Sequence, residues 1–346
     1  MSVLKVGLIG CGRVTAARHL PALQRLPNVK VVALADNDLV RLRQVAGQFN
    51  IRHCYTDVHA LLENSDVDIV GVCVPANFHV EVALAAIAAG KHVFIEKPLT
   101  LTLEDADRLI TCSQHVSSKI MVGFNFRWHR LIRKARRLLQ REAVGEVETI
   151  RTILVSYHEA PPEWRKQRAL GGGAFFEQAV HLFDLWRFLL QSEVEEVFAT
   201  SRSGPWDDET VAVSARLTNG VLATALCSER TGENNEVEVY GRLGRFRVSC
   251  YRFDGLEYDS QTSIPGNGRA RVREFLQTMK ELPRGLLQMR RGGDFLASYD
   301  AEWNHFLSAI RYDTPVECTL EDGRRALQIV LAAIGSATLG RPVPIT

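Results

Sequence analysis

Side chains in two separate stretches carry the chemistry open to this chain. Lys97 stands in Glu96-Lys97-Pro98, directly after the apolar run Val93-Phe94-Ile95, which has the length and β-propensity of a buried parallel strand. Pro98 donates no ladder hydrogen bond and restricts the residue before it, so the strand should end there with Lys97 extended. An ammonium at the carboxyl end of a parallel strand faces the crevice in which open α/β sheets bind ligands. Taken alone, a surface lysine at a strand end is an equal reading. The other stretch runs from Ala174 to Asp184, after Gly171-Gly172-Gly173. Glu177, His181 and Asp184 fall at i, i+4 and i+7, on one face of a helix. Phe175, Phe176, Val180, Leu182, Phe183 and Leu185 leave that helix little solvent face, so its polar stripe is expected to line a cavity or interface. A neutral histidine flanked by carboxylates can exchange a proton near pH 7, which makes His181 and Glu177 candidate catalytic residues. The three glycines are expected to let a ligand or another domain come close.

The elements that must position Lys97 begin at the N-terminus. Val3 to Ile9 reads as a buried strand, followed at once by Gly10-Cys11-Gly12-Arg13-Val14-Thr15 and a helix with Ala16, Leu20 and Leu23. A second strand, Lys30 to Ala35, ends at Asp36. This is a dinucleotide fingerprint: glycines admit a pyrophosphate to the backbone, a helix N-terminus meets its charge, and an acid accepts hydrogen bonds from the ribose. Thr15 replaces the third glycine, so helix and strand should pack slightly further apart or the loop should differ. The Asp36 carboxylate would repel a 2′-phosphate, though Arg41 on the next helix could reach back. NAD is the expected cofactor and NADP the lesser one. Gly10, Gly12, Arg13, Val14 and Asp36 are the expected contacts.

The βα rhythm continues through a helix at Leu39 to Phe49, a strand-like piece at His53 to Tyr55, and a strand at Asp68 to Val74. A helix at His79 to Ala89, another at Leu103 to Cys112, and a strand at Lys119 to Val122 complete it. Alternation of this kind predicts a doubly wound parallel sheet of Rossmann type. Pro75 and Asn77 leave their strand at the same edge as Lys97 and join the expected cofactor contacts. His79 is either one more contact or an ordinary first residue of a helix.

After residue 124 the rhythm changes. A basic amphipathic helix, Leu131 to Arg141, precedes strand-like pieces at Glu148–Tyr157, Val194–Ser201, Thr210–Leu217, Val221–Ser228, Glu236–Tyr240 and Phe246–Tyr251. Several lie one tight turn apart, which is meander spacing and implies a largely antiparallel sheet. Ser263 to Arg273 reads as a loop, and Tyr299–Ile310 and Leu320–Leu339 as closing helices. The expected division is therefore a dinucleotide-binding domain at 1–124 and an α/β domain at 125–346 for substrate and oligomerisation. The 346 residues carry 42 basic and 40 acidic side chains, a net charge of +2 that points to no nucleic-acid or anionic-membrane partner. Cysteines 11, 54, 73, 112, 227, 250 and 318 show no metal-binding spacing, so reduced thiols and no metal are expected. With no signal-peptide layout and no run of membrane-spanning length, the expectation is a soluble cytoplasmic protein.

These motifs together resemble the glucose–fructose oxidoreductase / inositol dehydrogenase / MocA (Gfo/Idh/MocA) family. The likeness rests on the early G-x-G loop, Asp36, Pro75-Ala76-Asn77 with His79, Glu96-Lys97-Pro98, Gly123-Phe124-Asn125-Phe126-Arg127, the GGG-x-x-x-E-x-x-x-H-x-x-D helix and Asp322-Gly323. It implies a Rossmann domain joined to a domain with an open-faced sheet, and dimers or tetramers formed through that sheet. It also implies an NAD(P)-dependent dehydrogenase of a sugar, inositol or related polyol, with Lys97 and His181 catalytic. Glu177 stands where many members have Asp. In such a reaction His181 or Lys97 takes the hydroxyl proton, the Lys97 ammonium stabilises the alkoxide, and Glu177 orients His181 or a substrate hydroxyl. Asn125, Arg127, Trp164 and Arg165 are the further candidates for substrate contact, the last two in a mobile loop Trp164-Arg165-Lys166-Gln167-Arg168. If two or more of Arg127, Arg165, Lys166 and Arg168 faced the cleft, an acidic substrate would be favoured; otherwise a neutral polyol. A non-catalytic NAD-binding sensor and a redox-neutral NAD-dependent glycosidase are the rival readings.

Overall fold

The computed structural model describes residues 2–64, 66–261, 268–289 and 292–345. The chain divides into two compact units, Met1–Asn125 with Tyr299–Leu327, and Phe126–Ser298 with Gln328–Thr346.

In the first unit, β1 (Leu4–Ile9) leads through a π-helical turn (Thr15–His19) into α1 (Leu20–Arg25). Then come β2 (Val29–Ala35), α2 (Leu39–Phe49), β3 (His53–Tyr55), α3 (Val58–Asn64), β4 (Ile69–Val72) and α4 (His79–Ala88). The run closes with β5 (His92–Glu96), α5 (Leu103–Ser113) and β6 (Ile120–Gly123). The strands are ordered β3-β2-β1-β4-β5-β6 and every pair is parallel. Val93, Phe94 and Ile95 of β5 have no solvent exposure, as strands covered on both faces require. The parallel sheet read from the βα rhythm is thus present, with α3 added where no pattern had suggested a helix. Trp303 stacks on Phe94 at 4.5 Å between ring centres, so residues from the closing part of the chain complete this core.

The second unit opens with α6 (Arg130–Gln140) and β7 (Val147–Tyr157). A second π-helical turn (Phe175–Ala179) runs into α7 (Val180–Leu190). Then follow β8 (Val194–Arg202), β9 (Thr210–Leu217), β10 (Leu222–Ser228), β11 (Arg230–Gly241), β12 (Gly244–Ser249) and β13 (Leu256–Ser260). Helix α8 (Gly268–Met289) is followed by α9 (Gly293–Arg311) and α10 (Leu320–Leu339), of which residues 299–327 belong to the first unit, and the chain ends in the short β14 (Val343–Pro344). The sheet order is β13-β12-β11-β7-β10-β9-β8-β14, and only β7 with β10 pairs parallel.

Burial alternates along β9 and along β10 as far as Cys227, so one face of this sheet is covered and the other is open. Trp186 of α7 packs on the covered face and donates its indole N–H to Thr152 at 3.1 Å. The open face carries exposed Phe198, Leu222 and Leu226. Of the stretch expected as a loop, residues 263–267 lie outside the described residues, while 268 onward begins α8. Pro283 inside that helix and its glycine start hid the pattern, although Val272, Phe275, Leu276 and Met279 do recur at helical spacing. Among the described residues no helix is long and apolar enough to cross a membrane.

Ser336 of α10 ties down an outer strand. It is fully buried, accepts the Ala199 N–H of β8 at 3.0 Å and donates to the Arg341 carbonyl at 2.7 Å. Ser336→Ala should leave that amide buried and unpaired, at a cost of about 1–3 kcal/mol. A urea midpoint unchanged from wild type would contradict this.

Candidate active site

The dinucleotide fingerprint folds around Gly10. Its φ is +94°, and a Cβ there would lie 2.5 Å from the Cys73 carbonyl at the end of β4, so no other residue fits. Gly12 faces open space, leaving the backbone approachable as a pyrophosphate requires. Arg13 and Val14 are exposed beside it. Thr15, the departure from the fingerprint, is buried and donates its hydroxyl to the Gly10 carbonyl at 2.6 Å. The loop therefore differs: a side-chain bond closes it, and the first turn is π-helical.

Asp36 sits where β2 ends. Its carboxylate accepts the Cys11 and Asp38 amides at 2.7 and 2.8 Å, and Arg41 Nε and Nη2 at 3.0 and 2.7 Å. Asp38 caps α2 by accepting from the Val40 and Arg41 amides, which sets Arg41 in the first turn within reach. Burial works to raise the Asp36 carboxyl, but the bonds from Arg41 and the two amides outweigh it and hold it below the ordinary aspartate value. Arg41 thus does reach back, and it meets Asp36 first. The glycine loop, helix start and terminal acid fit an NAD molecule: Gly10 to Val14 would hold its pyrophosphate and Asp36 its ribose.

At the next strand end, Pro75 starts a short 3-10 turn, Ala76–Phe78, in which Asn77 is exposed. His79 is different. Its ring is buried, with Nδ1 2.9 Å from the Pro98 carbonyl and Nε2 2.9 Å from the Val74 carbonyl. Burial pushes its pKa down, against the pull of those carbonyls. It braces the Lys97-Pro98 turn against the loop after β4, and both ring nitrogens are engaged by backbone. Glu96, the last residue of β5, accepts the Lys97 amide at 3.1 Å and lies 2.8 Å from His19 Nε2. His19, the partner of Glu96, and Trp303, which donates to His19, were missed in the sequence, because nothing in their local pattern marks them.

In the second unit, the candidates on the glycine-led helix find these partners. Arg127 and Asp184, both buried, form a bidentate pair with N···O distances of 2.7 and 2.5 Å. His181, nearly buried, packs its ring against Phe126 at 4.6 Å. Glu177 lies 3.1 Å from Arg165, whose guanidinium also holds fully buried Glu229 at 2.8 Å. Burial would lower the Arg165 pKa, but Glu177 and Glu229 raise it further. The π-helical turn is wider than an α turn, so Glu177 is rotated from the strict 3.6-residue stripe. Asn125, the last residue of the first unit, is buried, and Trp164 is half-buried.

The triple glycine serves the chain itself. A Cβ on Gly172 would meet the Arg165 carbonyl at 2.2 Å, and one on Gly173 the Asp207 carbonyl at 2.7 Å. The loop Trp164 to Arg168, expected to be mobile, is latched. Gly172 and Gly173 donate to the carbonyls of Gln167 and Arg165, Asp207 donates to Lys166, and Arg168 pairs with Asp208 at 2.6 Å. Glu229 and Asp208 escaped the sequence reading too, the first a lone acid after a strand and the second one of three acids, Asp207-Asp208-Glu209, in a turn. Among the described residues no cluster of His, Cys, Asp and Glu could hold a metal ion.

Two family models match the chain: an oxidoreductase family with an NAD-binding Rossmann fold over residues 4–124, and the GFO/IDH/MocA C-terminal domain over 132–247. The chain belongs to the Gfo/Idh/MocA family. It is an NAD-dependent oxidoreductase. It is 29% identical to myo-inositol 2-dehydrogenase of Thermotoga maritima, over 99% of this chain and 98% of that one. A crystal structure of a probable dehydrogenase from Thermotoga maritima superposes with a TM-score of 0.80 at 27% identity, covering 99% of both chains. Levoglucosan dehydrogenase, solved with NADH and L-sorbose, shares the fold at a TM-score of 0.84 and 21% identity, covering both chains fully.

NADH should bind more tightly than NADPH, and Asp36→Ala should weaken NADH by about 10- to 100-fold, the size expected for hydrogen bonds to a charged group, and narrow the gap. Fluorescence titration with both cofactors checks this; a clear NADPH preference in the wild type would overturn it.

Proposed function

We propose that this protein oxidises a secondary alcohol of a neutral sugar or polyol, or reduces the matching ketone. The observation that carries the substrate class is the pairing of its cations. Arg127 is matched by Asp184, Arg165 by Glu177 and Glu229, Lys166 by Glu163, and Arg168 by Asp208. A guanidinium already satisfied in a bidentate pair has little left to offer a substrate carboxylate or phosphate. The inositol dehydrogenase to which the chain is similar takes a neutral cyclitol, by its name, and supports the same class.

Bound NAD supplies the hydride acceptor. The chain's own residues handle the proton. His181 or Lys97 accepts the hydroxyl proton as the C–H bond breaks, and the Lys97 ammonium stabilises the developing alkoxide. Arg165 holds Glu177, which in this reading orients His181 or a substrate hydroxyl. Arg127 serves by neutralising Asp184 one helical turn from His181. Residues 1–124 are assigned to the dinucleotide and 125–346 to the substrate. Exposed Phe198, Leu222 and Leu226 on the open sheet face support a homodimer or homotetramer formed there, in the cytoplasm.

Lys97→Ala and His181→Ala should each lower turnover by at least about a hundredfold while NADH binding stays near wild type. Near-normal turnover in both would end the catalytic assignment. Product without NADH appearing would point to the redox-neutral glycosidase, and no turnover across a broad panel of polyols to the sensor. In matched pairs such as a hexose and its uronic acid, the neutral member should have the higher kcat/KM; the reverse would refute the neutral class.

A further inference from the structure

His19 lies in the turn that follows the glycine loop, and its ring has no solvent exposure. It is boxed edge-on by Phe94, Tyr299 and Trp303, with ring centres 5.4, 5.5 and 5.9 Å away. Trp303 donates its indole N–H to His19 Nδ1 at 3.0 Å. An indole nitrogen can only donate, so Nδ1 must carry a lone pair and Nε2 the proton. That proton points at Glu96 Oε1, 2.8 Å away, and makes a charge-assisted bond to the carboxylate. The other Glu96 oxygen accepts the Lys97 amide at 3.1 Å. A directed chain therefore runs from Trp303 through His19 to Glu96 and ends on the peptide from which the Lys97 side chain departs.

We propose that His19 is a positioning residue for Lys97, acting through Glu96. This rests on the catalytic reading of Lys97 given above. The same residue is tied to the cofactor loop, since Thr15, in the same π-helical turn, bonds the Gly10 carbonyl. His19 thus joins the turn beside the pyrophosphate loop to the strand end that carries the ammonium. A hydride-transfer site tolerates little misplacement of a proton-handling group, and an error of about 1 Å can cost on the order of a hundredfold in rate. Burial lowers the His19 pKa, but Cys73 and Glu96 raise it well above the ordinary value; a proton on Nδ1 would nonetheless point at the Trp303 N–H, so the ring is held neutral and donates one hydrogen bond in a fixed direction.

The test compares His19→Phe, which keeps a ring in the box but donates nothing, with His19→Gln, whose Nε2 can reach the donor's place. In the protein without nucleotide, exchange of the Lys97 amide hydrogen should speed up about tenfold in His19→Phe and return towards wild type in His19→Gln. On a turned-over polyol, His19→Phe should lower kcat by about 10- to 100-fold, with KM and NADH affinity within about threefold, and His19→Gln should recover most of it. In the Lys97→Ala background His19→Phe should cost nothing further, because the residue it positions is gone. Should His19→Phe not fold, Trp303→Phe removes the N–H together with part of the indole and should give the same changes in amide exchange and kcat at smaller size.

Unchanged Lys97 amide exchange, or kcat within twofold of wild type in a folded His19→Phe, would overturn the proposal. So would equal losses in His19→Phe and His19→Gln, or a further loss on the Lys97→Ala background. If instead Lys97→Ala keeps wild-type turnover, the catalytic reading of Lys97 is what fails, and amide exchange still reports the link from His19 to Glu96.

Discussion

Parallel pairing forces every strand of the first sheet to end at the same edge, and the dinucleotide chemistry depends on that constraint. Gly10 follows β1, Asp36 follows β2, Cys73 follows β4 and Lys97 follows β5. The order β3-β2-β1-β4-β5-β6 makes β1 and β4 neighbours, and there the chain leaves in opposite directions, which opens a crevice. The two loops at that crevice are in contact: a side chain on Gly10 would collide with the Cys73 carbonyl. The glycine is therefore demanded twice, by its backbone angle and by its neighbour.

Charge in the second unit obeys a different constraint. Arginine stays protonated at any pH a protein meets, so a guanidinium taken out of water must find an anion or suffer a heavy desolvation penalty. Arg127 with Asp184 and Arg165 with Glu229 are such cases, both carboxylates having almost no exposure. Removing one member of a buried pair leaves the other uncompensated, which costs about 3–5 kcal/mol, so these pairs are retained whether or not they touch substrate. Cations that the sequence displays as a basic loop are, in the folded unit, partners of acids up to 64 positions away.

Period and punctuation made much of the fold legible. Apolar runs of three to six residues, separated by helical stretches and closed by Gly, Asp or Pro, mark β1, β2, β4 and β5 because a strand covered on both faces has no alternative composition. Two-residue alternation marks β9 and β10 for the opposite reason, one face being wet. The pattern fails for α8, where Gly268 and Pro283 interrupt a helix whose Val272, Phe275 and Leu276 are exposed. It fails also for β13, an outer strand of mixed burial. Elements that bury little leave little periodicity to read.

The candidate residues, Gly10, Asp36 and Lys97 in the first unit and Glu177 and His181 in the second, were legible in the sequence, since spacing and element ends are local properties. Their partners were decided by the tertiary structure. Arg41 turns to Asp36, His79 meets the carbonyls of Val74 and Pro98, and Trp303 reaches His19 across 284 positions. Hydrogen bonds and ion pairs act within about 3 Å whatever the distance along the chain. No window of sequence contains both ends of such a bond, so only the packed chain could say which acid answers which base.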